Sequence, residues 1–166
     1  MLVSMRRSAM QDIRSPESPG FDPVAGGGWL VDESFFRFLV QLETQKAQRL
    51  RYSVSLVCFA AEPSALGNGK TSATSVAENV VRYLRGTDAV ALWTQGRVAI
   101  LLIDAEPTHL AAIVSRITTR LETVRWSAGG ACYPRTAARA DDMLHQAAEL
   151  LTRARDDGGN RLYIAS

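Results

Sequence analysis

The sequence is poor in the residues from which most metal sites and stapled scaffolds are built: it holds two cysteines and two histidines in 166 residues. Cys58 and Cys132 sit in apolar, strand-like surroundings. With no C-x-x-C and no Cys/His ligand spacing, they indicate neither a zinc site nor a disulfide framework. His109 and His145 fall on helical patterns without a partner at ligand spacing and read as ordinary surface or boundary residues. Long hydrophobic runs are missing too. No window approaches 18 consecutive apolar residues, so no membrane insertion is expected. Met1 to Ile13 lacks an apolar stretch long enough for a secretory signal, and a cytoplasmic protein is the expectation.

Lysine is nearly absent: of 19 basic residues only Lys46 and Lys70 are lysines. A GC-rich coding sequence accounts for most of that bias. Some of the arginines are also suited to planar, bidentate acceptors such as guanine edges or phosphates. The net charge of +2 resides in residues 1–14, where Arg6, Arg7 and Arg14 face only Asp12. The rest of the chain is balanced, which argues against a general nucleic-acid binder.

What is present is enough for one core. The chain is 46% hydrophobic, which excludes disorder throughout, and its length fits one domain. Residues 1–28 read as a flexible tail, with Ser15-Pro16-Glu17-Ser18-Pro19-Gly20 and the Gly26–Gly28 run as linker chemistry. A domain is expected over 29–166. Phe35, Leu39 and Leu42 recur at helical spacing behind a cap at Asp32 or Ser34, predicting a helix to about Arg49. A strand follows over Ser53–Ala60, then a loop from Pro63 to Thr71. The next helix carries Val76, Val80, Val81 and Leu84 on one face and stops at Gly86. Asp88–Trp93 and Val98–Ile103 flank Thr94-Gln95-Gly96, which predicts a hairpin.

Pro107 opens a further helix with the stripe Leu110, Ile113, Val114, Ile117 and Leu121. A strand over Trp126–Tyr133, a helix burying Met143, Leu144, Ala147, Leu150, Leu151 and Ala154, and a strand over Leu162–Ala165 complete the chain. The order α-β-α-β-β-α-β-α-β implies an α+β sandwich, a mostly antiparallel central sheet with helices packed on it. Trp93 and Trp126 read as core. Trp29, beside three glycines, is a candidate docking anchor for the tail or for a partner.

This order and several local motifs resemble the GGDEF domain, the diguanylate cyclase domain of bacteria, over about residues 22–165. Ser127-Ala128-Gly129-Gly130-Ala131 stands where that family has S-I-G-V-A. Ala154 to Arg161 fits A-K-x-x-G-x-N-R, with Arg155 for the Lys. Asp22-Pro23-Val24-Ala25-Gly26 is similar to D-P-L-T-G. At the five positions of the G-G-D-E-F signature, however, this chain has Thr94-Gln95-Gly96-Arg97-Val98. In the family, carboxylates of the hairpin and of the first strand hold the divalent metal that activates GTP. Here Arg97 stands in the hairpin, and the first strand ends Ala60-Ala61-Glu62. The family's H-F-K-x-x-N-D segment is missing, with only Asn68 in register.

The expectation from these departures is a domain without cyclase activity, not an enzyme, with no catalytic residue, no metal and no cofactor. Arg155 and Arg161 then take structural roles.

Arg85-Gly86-Thr87-Asp88 retains something else. Many family members carry an inhibitory R-x-x-D site five residues before the signature, where cyclic di-GMP binds. Ala89 to Trp93 supply that spacing here. A guanidinium pairs with guanine O6 and N7 or with a phosphate, and a carboxylate accepts from guanine N1–H and N2–H₂. In the family a further arginine from the following helix completes the site, and Arg116 occupies that stretch. The resemblance therefore implies a cyclic di-GMP receptor using Arg85, Asp88 and Arg116, with ligand-linked homodimerisation and a protein partner.

Two other readings stand beside it. One is a nucleotide-independent interaction scaffold in a signalling or secretion system, in which Arg85 is occluded or paired internally with Asp88. The other is GTP binding without turnover.

Overall fold

The computed structural model describes residues 22–23, 27–62, 72–121 and 125–166. The expected loop from Pro63 to Thr71, with Asn68, lies outside the described residues, as does most of the expected tail. Along the chain run strands β1 (Asp22–Pro23) and β2 (Trp29–Val31), helix α1 (Glu33–Leu50), β3 (Val54–Glu62), α2 (Ala73–Val81), β4 (Ala89–Trp93), β5 (Arg97–Ile103), α3 (Pro107–Arg120), β6 (Arg125–Tyr133), α4 (Ala140–Asp156) and β7 (Arg161–Ile164). Every helix and strand expected from the sequence is there, and β1 and β2 are additional.

The strands form one seven-stranded sheet in the order β1-β2-β4-β5-β3-β6-β7. Only the β2–β4 and β6–β7 pairs are parallel. The fold is an α+β sandwich on a mostly antiparallel sheet.

Side chains alternate across a strand, so β3 feeds two cores. Leu56, Cys58 and Ala60 join Phe36, Val40, Met143 and Leu151 under α1 and α4. Val57 and Phe59 join Val80, Leu110, Val114 and Ile117 under α2 and α3. Trp93 meets Phe36 edge-on at 5.8 Å, and Trp126 stacks on Phe59 at 6.1 Å. Both tryptophans therefore pack on the cores as expected.

Two local expectations change. In α1 the buried residues are Phe36, Val40, Thr44 and Ala47. Phe35 and Leu39 are half-buried, and Leu42 is exposed. The helix carries apolar side chains on two neighbouring arcs, and periodicity alone does not say which arc meets the sheet. The entry from β2 and the Asp32 cap, which accepts from Phe35 N at 2.7 Å, fix its rotation.

The second change concerns the glycine run. Gly28 N donates to Val81 O at 2.9 Å, and a Cβ on Gly28 would stand 2.8 Å from Asp88 O. A Cβ on Gly27 would stand 2.5 Å from Val81 O. These glycines permit close approach of two backbones, the other use of a residue that reads as a linker.

Cys58 and Cys132 are both free and buried. Burial pushes the Cys58 thiol up to about 12, with Arg97 pulling weakly the other way; burial also raises Cys132. Because the thiolate is the reactive form, neither should be labelled by a thiol reagent in the native protein at neutral pH. Both should be labelled in denaturant. Rapid native labelling of either one, counted by mass spectrometry, would contradict the packing described.

Candidate functional site

The helix expected to carry Leu84 and stop at Gly86 ends at Val81, and beyond it residues 85–88 turn the chain into β4. Asp88 N donates to Arg85 O at 2.9 Å, and the Asp88 carboxylate locks the turn. One oxygen accepts from Arg85 N and the other from Ile103 N, each at 3.0 Å. Asp88 is only 4% exposed. Burial raises its pKa above the ordinary carboxylate value, opposed by the two backbone N–H groups and by the Arg85 charge. A buried carboxylate is tolerated here because both oxygens are hydrogen-bonded.

The outer side of the turn is held from β2. Trp29 N donates to Asp88 O at 2.9 Å, and the Trp29 indole donates to Gly86 O at 2.7 Å. Trp29 thus docks onto this turn. Trp29 was expected as an anchor for the tail or a partner; that it anchors this turn, with Gly27 and Gly28 beside it, is the part the sequence did not disclose. The only signal was a large aromatic beside a glycine run.

The Arg85 side chain is exposed. Among the described residues its guanidinium has no hydrogen bond or ion pair. Arg116 reaches across from α3 and donates from Nη2 to Tyr83 O at 3.2 Å, next to the end of α2. Arg85, Asp88 and Arg116 line one cleft of about 260 Å³ together with Asp104, Thr108, His109 and the apolar Leu102, Ala112 and Ile113. The three residues singled out from the sequence therefore share one cavity. They do not play one role, since Asp88 turns its oxygens to the backbone and the arginines are at the surface.

His109 was expected to be ordinary and is a lining residue. It occupies the third position of α3 in a reciprocal cap with Glu106, behind Pro107 at the helix start. His145 lies outside, 3.3 Å from Glu149 on the exposed side of α4.

The hairpin end of the sheet is a separate region. Thr94–Gly96 forms one 3-10 turn with Gln95 and Gly96 at positive φ, and Trp93 pairs with Arg97. Arg97 donates to Thr152 Oγ1 of α4 at 3.2 Å. Glu62, the carboxylate at the end of β3, stands 3.7 Å from Arg155 and 3.9 Å from Arg125. Arg161 donates to Gly159 O at 3.1 Å and to the Tyr163 hydroxyl at 3.3 Å, ordering the entry to β7. Among the described residues no helix is long and apolar enough to cross a membrane.

No family model matches the sequence, and no curated protein matches it. Solved structures do. The GGDEF domain of YfiN from Pseudomonas aeruginosa superposes with a TM-score of 0.72 at 18% identity, covering 81% of this chain and 96% of that one. The active GGEEF domain of a diguanylate cyclase from Vibrio cholerae gives 0.70 at 14% identity, with 81% and 97% covered. The coiled coil and GGDEF domain of DgcB from Caulobacter crescentus, in complex with c-di-GMP, gives 0.70 at 15% identity, with 82% of each chain covered.

These similarities correct one expectation. The chain was expected not to be an enzyme, but the structures it is similar to are mostly cyclase domains, one of them described as active, and the fold of the described residues supplies no positive evidence for a loss of activity. At these identities the likeness defines the architecture alone: the chain has the fold of a GGDEF domain.

Proposed function

We propose that the cleft between the α2–β4 turn and α3 is a receptor site for cyclic di-GMP. The observation that carries this reading is the state of Arg85. Its guanidinium is exposed and, among the described residues, makes no hydrogen bond or ion pair, above a turn whose backbone is fixed by Asp88 and Trp29. The turn fixes the Arg85 backbone in advance, so only side-chain freedom is lost on meeting a phosphate or a guanine edge, and the planar fork suits either. Arg116 adds a second guanidinium on the opposite wall.

The R-x-x-D spacing ahead of the hairpin supports the same ligand, and so does a similar fold solved with c-di-GMP. Asp88 serves by positioning: with both oxygens accepting backbone N–H groups, its first effect on the ligand runs through Arg85. A ligand with two guanines and two phosphates can be shared between two copies of the chain, so ligand-linked dimerisation is part of the proposal.

Calorimetric titration with cyclic di-GMP tests it. Wild type should bind, and Arg85→Ala should bind about 10- to 100-fold more weakly, as expected for a lost hydrogen bond to a charged group. Its melting temperature should change little, since among the described residues the guanidinium has no hydrogen bond or ion pair to lose, only its through-space attraction to the Asp88 carboxylate. Absence of heat with wild type, or equal affinity of the two proteins, refutes the assignment. Sedimentation with and without ligand reads the dimer.

One observation favours the second reading, a protein-docking surface. On α1, Phe38 is 53% exposed and Leu42 36%, an apolar side of the helix turned outward. Phe38→Ser combined with Leu42→Ser would abolish capture of such a partner and leave cyclic di-GMP binding intact.

A further inference from the structure

His109 is a cleft-lining residue that the R-x-x-D pattern does not include. Its chemistry there is fixed by the helix start it belongs to. Glu106 N donates to His109 Nδ1 at 3.1 Å, while His109 N donates in return to Glu106 O at 2.9 Å. A neutral imidazole has one donor and one acceptor nitrogen. With Nδ1 accepting, the proton resides on Nε2, and the ring brings a donor to the cleft wall.

The rest of the lining has the same polarity. Arg85 and Arg116 are donors, the Thr108 hydroxyl can donate, and both Asp88 oxygens are already engaged by backbone N–H groups. Asp104 is the exception, exposed at a left-handed φ of 53° directly after β5. Leu102, Ala112 and Ile113 supply the apolar remainder. A cleft with convergent donors and an apolar wall calls for a ligand that brings acceptors and a flat apolar face.

We propose that His109 is a third ligand-binding side chain of this cleft, donating from Nε2 to a phosphate oxygen of the bound cyclic dinucleotide. This rests on the reading of the cleft given above and adds to it a residue and a tautomer. Because the same ring caps α3, ligand binding and the start of α3 are coupled through one side chain.

Two substitutions separate the donor from the cap. Glu and Gln at this helix position both accept the N-cap N–H, so His109→Gln and His109→Glu each preserve the cap. Gln retains an N–H donor; Glu at neutral pH has none. Titrated with cyclic di-GMP, His109→Gln should stay within about threefold of wild type, whereas His109→Glu should bind at least about tenfold more weakly, with unchanged melting temperatures.

The added charge of Glu is controlled by the wild-type imidazole ¹⁵N spectrum. It should show the Nε2–H tautomer and a shift of that nitrogen on adding ligand. Wild-type affinity in His109→Glu, or an Nε2 resonance indifferent to bound ligand, overturns the role of His109 while leaving the cleft intact. Failure of wild type to bind overturns the reading of the cleft and this inference with it.

Discussion

Replacing Gly129 by alanine should cost more than about 3 kcal/mol in unfolding free energy, while the same change at Gly130 should cost less than about 1.5 kcal/mol. The two glycines are adjacent on β6 and face opposite helices. A Cβ on Gly129 would stand 2.2 Å from Ala147 O and 2.3 Å from Leu151 N. Both are backbone atoms of α4, which cannot rotate away. The strand and the helix must separate, and with them the core that Met143, Ala147 and Leu151 close. A Cβ on Gly130 crowds the tip of Leu110, at 2.8 Å, and meets Ile164 and Leu162 at ordinary contact distance; all three are side chains, and the Leu110 tip can shift to another rotamer. Urea unfolding of the two variants gives the comparison. Equal costs would mean that α4 does not lie on the backbone of β6 as described.

The second large effect belongs to Asp88. Asp88→Ala leaves the N–H groups of Arg85 and Ile103 without their acceptors, at about 1–3 kcal/mol for each buried donor, or about 2–6 kcal/mol together. The expected signature is a lowered melting temperature together with weakened cyclic di-GMP binding. Arg85→Ala should lower affinity alone. That contrast distinguishes a positioning carboxylate from one that reads guanine directly: a folded, stable Asp88→Ala protein with lost affinity would assign Asp88 to the ligand.

The pH dependence follows from the direction of the shift. Burial raises the Asp88 pKa, so above the ordinary carboxylate value of about 4 the native state still holds a proton that the unfolded chain has released. This group's contribution to stability is therefore greatest at low pH and declines as pH rises through the folded pKa. Stability measured against Asp88→Asn across that range should fall with rising pH; a rise would mean that the two backbone donors outweigh burial.

Much of this protein was legible in its sequence because the signals are local. Amphipathic spacing, a cap at Asp32 and Pro107 at the start of α3 each act within one or two turns of chain, and each marks an element that is present; the helix expected to stop at Gly86 ends instead at Val81. The hairpin was legible for the same reason, since Thr94–Gly96 allows positive φ at Gln95 and Gly96 between two apolar strands. Arg85, Asp88 and Arg116 were nominated by position within a resemblance, and they do line one cleft.

What tertiary structure decided are the pairings between distant segments, to which local patterns are indifferent. It chose which apolar arc of α1 meets the sheet. It turned Gly27 and Gly28 from linker, and Trp29 from an anchor for the tail or a partner, into the support of the Arg85–Asp88 turn. It gave one Asp88 oxygen to Ile103, 15 residues away, and so made a nominated reader of guanine into the lock of a turn. It brought His109 from an unremarked helix start to the cleft wall. Cysteine and histidine scarcity offered no spacing for a zinc or disulfide framework, yet one of the two histidines acquires a place beside the cleft through the cavity around it. A residue's own chemistry is written in the sequence, whereas burial and partners depend on chain that is remote in sequence and near in space.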